Sequence, residues 1–414
     1  MNLFIANIAQ CVTVPAGAGG VKRGRAMRDL GVITDAGLLC RNGRIAWVGP
    51  MSRWTEELPG DFPRMDARGK VVLPGFVDSH THMMFAGDRA HEFALRAEGA
   101  TYQQIAEQGG GILSTIAHVR AASRKDLKKR TARWLGEMMR YGTTTVEIKS
   151  GYGLETASEL KMMEAITELR EEEVVGVVPT FMGAHAVPPE FRGDPAGYVR
   201  LVTEEMIPLV GKRRLAAFCD VFCERGYFDP ADARRILEAG RAHGMRPKVH
   251  ADEITPLGGA QLAAELGAVS ADHLEHVTDD GIAALRDAGT VATVLPGVSF
   301  FLNHGYAPAR RLIDGGATLA IASDFNPGSC MSFSMPLMMT IACTQMRMTP
   351  EEAITAATLH GAAALGLASD LGSIEPGKRA DLVVADVPDY RHLAYHFGFN
   401  HAAAVIKGGT ILEQ

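Results

Sequence analysis

Residues 75–82 read GFVDSHTH, a short apolar run that ends in two histidines separated by one residue. It is the first of eight such runs, and most intervals between them contain segments with helical periodicity. Repeated strand–helix units are typical of parallel β/α folds, and eight is the strand number of a (β/α)₈ barrel. A doubly wound open sheet could use the same units, so the strand count alone leaves closure open. The predicted strands are Phe76–His80, Thr143–Ile148, Val174–Thr180, Ala217–Phe222, Pro247–His250, Val269–His273, Val291–Leu295 and Leu319–Ser323.

The two ends of the chain differ from this central part in their predicted secondary structure. Both contain short strands bounded by Gly, Asn or Pro, and neither offers enough apolar surface for a core of its own. We therefore expect the ends to pair into one small β-sandwich domain. The prediction is an α/β protein with a TIM-like barrel over residues 71–371, and with a β-domain built from residues 1–70 and 372–414.

The composition favours a globular enzyme of small-molecule metabolism. The 414 residues are 47% hydrophobic and 22% charged, and 42 Lys and Arg against 48 Asp and Glu give a formal charge of −6. This charge is too mild and too evenly spread to suggest a nucleic-acid or membrane surface. Six scattered cysteines without C-x-x-C spacing indicate a reducing compartment. With no signal-like N-terminus, we expect a cytoplasmic protein, and a homodimer as the commonest oligomer.

Several predicted strands end in, or are followed directly by, metal-binding residue types. Strand side chains alternate, so His80 and His82 point the same way and can reach one metal at about 2.0–2.1 Å. His250 ends the fifth strand, His273 ends the sixth, and Asp324 follows the eighth. In a closed barrel these carboxyl ends converge on one mouth, where active sites of this fold are built.

Three imidazoles and one carboxylate form the predicted metal site, namely His80, His82, His250 and Asp324. Such a set suits Zn²⁺ or a similar divalent ion and leaves a coordination position for water. The ion would lower the pKa of that water from about 15.7 toward about 7, which supplies hydroxide near neutral pH. A second ion would need a bridging carboxylate or a modified lysine, and the fourth strand has no lysine. We therefore expect one hydrolytic metal ion per subunit.

Segments around these residues resemble one enzyme superfamily. The stretch at 74–82, with the order of the other ligands, is similar to the amidohydrolase superfamily, and further segments are similar to its imidazolonepropionase family. The SGYGL and DFNPGS motifs are more specific than HxH, HxxE and the final Asp, which many aminohydrolases share. The resemblance covers nearly the whole chain, including the split β-domain. The further segments are GDR at 87–89, GGGI at 109–112, EIKSGYGL at 147–154, AHA at 184–186, HADE at 250–253 and DFNPGS at 324–329.

This resemblance implies an enzyme that opens 4-imidazolone-5-propanoate with water to give N-formimidoyl-L-glutamate in histidine degradation. It implies the same four ligands for Zn or Fe, with Glu253 and His273 acting beside the metal. The implied substrate contacts are Arg89, Tyr152, His185, Glu253 and Ser329, and the implied product contacts are Asn326 and Gly328.

The chemistry of ring opening suggests how these residues divide the work. Cleavage of a cyclic amide needs hydroxide, stabilisation of the tetrahedral oxyanion and a proton for the leaving nitrogen. We assign proton transfer to Glu253 and oxyanion support to His273 as a hypothesis. Arg89 offers a planar two-donor fork for the propionate. Because the chain is acidic overall, the favourable charge for an anionic substrate must be local.

Two other functions use the same residues. A metal-dependent deaminase of a nucleobase or pterin would carry the same ligand set but would release ammonia. In a non-catalytic barrel, all four coordination positions of the ion could be filled by His80, His82, His250 and Asp324. Glu253 and His273 would then have no structural role. The remaining histidines are interpreted as surface or packing residues; they are His91, His118, His243, His276, His304, His360, His392, His396 and His401.

Overall fold

The computed structural model describes residues 1–100, 104 and 110–412. Within these residues sixteen strands form two eight-stranded sheets. The strands are β1 (Leu3–Val12), β2 (Val32–Arg41), β3 (Arg44–Pro50), β4 (Arg64–Asp66), β5 (Val71–Pro74), β6 (Phe76–Asp78), β7 (Thr143–Lys149), β8 (Gly176–Ala184), β9 (Phe218–Cys223), β10 (Arg246–Ala251), β11 (Ser270–His273), β12 (Val291–Val294), β13 (Leu319–Ile321), β14 (Leu382–Ala385), β15 (Ala402–Lys407) and β16 (Thr410–Leu412).

Strands β6 to β13 form the barrel. They lie in sequence order and every neighbouring pair is parallel, which is the arrangement of a TIM barrel and lacks the strand-order reversal of a doubly wound sheet. These eight strands coincide with the eight predicted runs to within a few residues at each end. The predicted fold class is confirmed.

The barrel closes between its first and last strands just beyond their regular parts. Thr81 and Phe325 form a parallel bridge. The Asp324 amide donates to the His80 carbonyl at 3.0 Å, and the His82 amide donates to the Phe325 carbonyl at 3.1 Å. The closing seam therefore runs through the residues that were predicted to bind metal.

Helices cover the outside of the barrel, and their caps follow local sequence rules. Helix Pro230–Ala242 begins after Asp229, whose Oδ1 accepts from the Ala231 and Asp232 amides. The other α-helices are Ala90–Ala97, Ile112–Ala121, Arg124–Arg140, Thr156–Glu172, Pro195–Leu201, Ile207–Lys212, Gly259–Glu265, Asp279–Ala288, Pro296–Leu302, Ala309–Asp314, Met335–Gln345, Pro350–Thr355, Gly361–Ala363 and His392–Tyr395. Two π-helical turns, Val202–Met206 and Ala356–His360, continue helices that precede them.

The second sheet joins both ends of the chain, as predicted. Strand β14 pairs with β5, so the order is β16-β15-β14-β5-β1-β2-β3, with β4 beside β1. This sheet encloses its own apolar core, to which both ends contribute side chains such as Ile5, Leu38, Leu382 and Ile406. Val71–Pro74 belongs to this sheet by its pairing, and the exact domain boundaries stay a prediction. Residues 101–103, 105–109 and 413–414 of the predicted domains lie outside the described residues.

Among residues 1–100, 104 and 110–412, no helix combines the length and the apolarity that a membrane span requires.

Candidate active site

A cavity of about 850 Å³ lies at the carboxyl ends of the barrel strands. Most site residues predicted from the sequence meet there, although they come from six strand ends or the loops that follow them. His80 is the exception, because it lies beneath the cavity against Asp324. The predicted residues that line the cavity are His82, Arg89, Tyr152, His185, His250, Glu253, His273, Asp324, Asn326, Gly328 and Ser329.

The four predicted metal ligands converge on one point. Asp324 Oδ1 lies 3.5 Å from both His80 Nε2 and His82 Nε2, and His82 Nε2 lies 3.1 Å from His250 Nε2. Atoms bound at about 2.0–2.1 Å to one tetrahedral ion are separated by about 3.3 Å, so these spacings fit a shared cation. His80, His250 and His273 also bring ligand atoms within 4.8 Å of one another.

The histidines of this cluster are in the protonation state that binds a cation, whereas burial without a cation disfavours the charged form of Asp324. Burial, reinforced by neighbouring cationic groups, holds the pKa of both His80 and His82 well below its usual value, so the imidazoles are in the neutral form that binds metals. Burial raises the pKa of the Asp324 carboxyl well above its usual range, and the charge of Glu253 adds to the effect. Within the described residues, His80 Nε2 and Asp324 Oδ1 have no hydrogen-bond partner. A bound divalent ion would give these two buried lone-pair atoms the partner that they lack.

The loop after β13 holds Asp324 in place. The Asn326 side-chain Nδ2 donates to the Asp324 carbonyl at 2.7 Å and to its Oδ2 at 3.1 Å, which leaves Oδ1 facing the imidazoles. Asn326 Oδ1 in turn accepts from the Gly328 and Ser329 amides. Both Asp324 and His273 adopt positive φ, at 50° and 81°, a conformation that is uncommon for non-glycine residues but that Asp and His adopt more readily than most.

A carboxyl group suited to proton transfer lies beside His273. Glu253 Oε2 is 3.5 Å from His273 Nδ1. Burial and then the charge of Glu224 raise the pKa of Glu253 to about 8. Burial holds the pKa of His273 well below its usual value, so this imidazole is neutral. Glu275, which the sequence analysis did not single out, lies 3.8 Å from the same Nδ1.

Arg89 is a fixed cation in the cavity. Its Nε donates to Glu92 Oε2 at 2.8 Å, and the Glu92 Oε1 accepts from the Gly111 amide. The guanidinium group lies directly on Gly328, where an added Cβ would come within 2.1 Å of Nη1. Glycine at 328 therefore leaves room for the arginine.

Tyr152 and His185 form an aromatic wall next to the predicted metal ligands. His185 stacks on His82, with ring centroids 4.8 Å apart, and its Nδ1 donates to the Gly151 carbonyl at 3.0 Å. Burial lowers the pKa of His185 to about 3, so the ring is neutral. Burial also raises the pKa of Tyr152, which keeps its hydroxyl protonated.

Sequence reasoning missed a charged cluster beneath the predicted metal ligands. It consists of five fully buried residues, and we call it the charge layer. A signal was available, because charged residues on alternate positions of a buried parallel strand are unusual. Glu147 and Lys149 follow this pattern on β7, and Lys248 and His250 follow it on β10. The charge layer is Glu147, Lys149, Asp220, Lys248 and Asp272.

Three of the histidines set aside by the sequence analysis have defined positions. His276 and His304 line the cavity. His360 is buried away from it, where Nε2 accepts from the Lys22 amide at 3.1 Å and Nδ1 donates to the Leu319 carbonyl at 2.8 Å. His360 is therefore a packing residue with both ring nitrogens paired.

The family model described as the amidohydrolase family matches residues 71–412. The imidazolonepropionase of Geobacillus kaustophilus is 49% identical over 414 residues, which is 99% of this chain and 97% of that protein. The imidazolonepropionase of Symbiobacterium thermophilum is 50% identical over 416 residues, 100% of this chain and 97% of that protein. The similarity thus extends over essentially the full length of each protein.

Solved structures with low sequence identity share the fold. A zinc-bound adenosine deaminase from Xanthomonas campestris aligns with a TM-score of 0.73 at 20% identity, over 99% of this chain and 92% of that one. Guanine deaminase from E. coli aligns with a TM-score of 0.75 at 15% identity, over 100% of this chain and 99% of that one. At such identities the likeness concerns the fold alone.

Proposed function

The chain belongs to the amidohydrolase family and, within it, to the imidazolonepropionases, and from this premise we propose its reaction. The enzyme adds water to 4-imidazolone-5-propanoate, opens the ring and releases N-formimidoyl-L-glutamate, a step of histidine degradation. The observation that carries the proposal is a fixed cation, Arg89, in the same cavity as the convergent metal ligands. An anionic substrate with a hydrolysable ring needs both features.

His80, His82, His250 and Asp324 would hold one divalent ion per subunit, either Zn or Fe. Their spacing and their unpaired atoms support this assignment. When bound, the ion supplies hydroxide near neutral pH by lowering the pKa of a water molecule. The His80, His82 and Asp324 side chains are nearly inaccessible to solvent, so the chain itself limits competing reactions with bulk water.

Arg89 would bind the substrate propionate with two parallel N–H donors, because a guanidinium fork matches a carboxylate. Its contact with Glu92 fixes the side chain before substrate arrives. Tyr152, His185 and Ser329 would contact the imidazolone, and Asn326 and Gly328 the ring-opened product. The turn closed by the Asn326 side chain, which accepts from the Gly328 N–H and donates to the Asp324 carbonyl, supports this role, since it holds the cavity wall next to Asp324.

Glu253 would move the proton that ring opening requires. A carboxyl with a pKa of about 8 can both take up and release a proton near neutral pH. Glu253 would accept the proton from water and deliver it to the leaving ring nitrogen. A neutral imidazole carries one N–H donor, and we assign that of His273 to the developing oxyanion.

The test is loss of imidazolone absorbance with purified protein, before and after removal of metal by a chelator. We expect turnover that disappears on chelation and returns when Zn²⁺ or Fe²⁺ is added. Metal-replete protein that leaves the substrate intact would overturn the proposal.

An ammonia assay on the same samples separates ring opening from deamination. Ring opening keeps both nitrogens in the product, so no ammonia should appear. Ammonia release from a nucleobase or pterin would instead support the deaminase. Metal binding without turnover of any of these substrates would support a binding protein.

We further propose that the enzyme acts in the cytoplasm as a homodimer. The cysteine pattern supports the compartment, and all six cysteines are free thiols. Light scattering on the purified protein tests the dimer, with a mass of one 44.4 kDa chain as the contrary result. Limited proteolysis tests the proposed boundaries at residues 70 and 371.

A further inference from the structure

Two carboxylates contact the Nδ1 atoms of predicted metal-binding imidazoles, on the opposite side of each ring from Nε2. Asp272 Oδ2 lies 2.7 Å from His80 Nδ1, and Asp220 Oδ2 lies 3.1 Å from His250 Nδ1. An imidazole whose Nδ1 carries the proton toward a carboxylate has a free lone pair on Nε2, the atom that faces a cation here. The hydrogen bond to Asp272 therefore fixes both the tautomer and the direction of His80, whereas the Asp220 contact lacks hydrogen-bond geometry and acts on the direction of His250 alone.

Lys149 joins these two carboxylates. Its Nζ donates to Asp220 Oδ2 at 2.6 Å, lies 2.8 Å from Glu147 Oε2, and lies 3.8 Å from Asp272 Oδ2. Lys248 contacts Glu147 and Asp272 at 3.1 and 3.6 Å. Of the two lysines of the charge layer, Lys149 alone forms an ion pair with Asp220.

We propose that Lys149 is a positioning residue for the metal centre, because its ammonium group holds Asp220, the carboxylate beside His250, and lies 3.8 Å from Asp272, the carboxylate beside His80. The inference rests on the metal site of the proposed function. It goes beyond that function by placing a determinant of metal affinity on a residue that touches neither the ion's ligands nor the cavity.

A role through charge alone would have the opposite sign. The charge layer has three carboxylates and two ammonium groups, so loss of Lys149 would leave it more negative and would attract a cation more strongly. Loss of positioning instead frees Asp220 and, with it, the orientation of His250. The direction of the change in metal affinity therefore decides between the two roles.

The experiment compares Zn²⁺ affinity of wild-type and Lys149→Met protein by competition with a chelator. Residues that orient metal ligands typically contribute 10- to 100-fold in affinity, and we expect a loss of about that size. At saturating Zn²⁺ we also expect lower kcat with little change in KM, because Lys149 does not line the cavity. The absorption bands of the Co²⁺-substituted protein should shift as His250 is released.

Lys407→Met is the matched control. Lys407 is also a largely buried lysine, and its Nζ donates to Asp381 Oδ2 at 2.6 Å and to the Thr144 carbonyl at 2.8 Å. Its loss should lower stability as loss of Lys149 does, yet leave Zn²⁺ affinity within about twofold of wild type.

Equal or tighter Zn²⁺ binding by Lys149→Met would overturn the proposal. If Lys149→Met fails to fold, the Zn²⁺ affinity of Asp220→Asn tests the proposal instead. An amide there would point its NH₂ group at the Nδ1 proton or force the other tautomer, so Zn²⁺ binding should weaken about 10- to 100-fold. Unchanged binding by Asp220→Asn would equally overturn it. Wild-type protein that binds Zn²⁺ but does not open the imidazolone would refute the proposed reaction and leave this comparison intact.

Discussion

The predicted metal ligands and the charge layer beneath them are both buried, but they differ in how their polar atoms are paired. In the charge layer each carboxylate and each ammonium group has an opposite charge within 4 Å. Among the predicted ligands, His80 Nε2 and Asp324 Oδ1 have no hydrogen-bond partner within the described part of the chain. Burying an unpaired polar atom is costly, so two unpaired ligand-type atoms that face one point favour a binding site. The ion pairs of the charge layer favour a supporting role, although Asp272 Oδ1 is also unpaired among the described residues. Substitutions in the two regions should therefore differ in their effects on metal affinity, turnover and stability.

The largest effect should come from the unpaired region itself. Asp324→Asn removes the carboxylate, and we expect Zn²⁺ affinity to fall by more than the 10- to 100-fold typical of residues that only orient a ligand. Turnover should fall to background. Because burial disfavours the Asp324 charge, the metal-free variant should be no less stable than metal-free wild type. Metal analysis and thermal melting check this, and full metal retention would contradict it.

A smaller loss should follow at a carboxyl group that does not bind the ion. Glu253→Gln keeps the shape of the side chain but cannot carry a proton, so kcat should fall about 100- to 10,000-fold. Metal content should stay at the wild-type level, which separates this residue from the ligands. Full turnover of the variant would remove Glu253 from the proton path.

The substrate side of the cavity should respond through KM. Arg89→Met removes a charge-assisted contact of about 1.5–3 kcal/mol, which corresponds to a rise in KM of about 10- to 100-fold. Gly328→Ala should act in the same direction with a smaller rise, because its Cβ would displace the Arg89 guanidinium. Steady-state kinetics of both variants give the comparison. A wild-type KM in both would show that Arg89 does not bind the propionate.

The smallest effect on turnover should come from a fully paired histidine. Burial lowers the pKa of His360 to about 4, below its unfolded value near 6.5. The unfolded chain therefore takes up a proton first, and stability should fall by up to about 3 kcal/mol as pH drops from about 6.5 to 4. Urea unfolding at several pH values measures this slope.

His360→Gln provides the control for that slope. Glutamine offers one donor and one acceptor but does not titrate, so the difference between variant and wild type isolates the histidine. Activity at pH 7.5 should be unchanged. An equal pH slope in both proteins would show that the contribution comes from other groups.

The fold was predictable because its signals are local. Each barrel strand is a short apolar run whose limits depend on nearby residues, and Val291–Val294, for example, differs from its predicted range by one residue. Closure was not decided by local pattern, because it depends on the bridge between Thr81 and Phe325. Family resemblance supplied what the strand count could not.

The candidate site was predictable where chemistry and strand ends coincide. His80, His82, His250 and Asp324 stand at such ends, and the structure brings them together. The partners of these residues depend on which strands become neighbours inside the barrel. The pairing of Asp272 with His80, and of Lys149 with Asp220, joins residues on different strands and left no pattern in the local sequence beyond alternation. The roles of the site residues remain proposals that the variants above can test.

The closing seam of the barrel has a consequence for biosynthesis. The Asp78 carboxylate accepts from the Ser323 amide across this seam, and the two residues are 245 positions apart. His80 and His82 leave the ribosome long before Asp324, so the full ligand set exists only after the eighth strand has been made and docked on the first. A nascent or truncated barrel would hold at most a partial set of ligands. Metal loading would therefore follow completion of the chain. A bound ion would then link the first and last strands of the finished barrel.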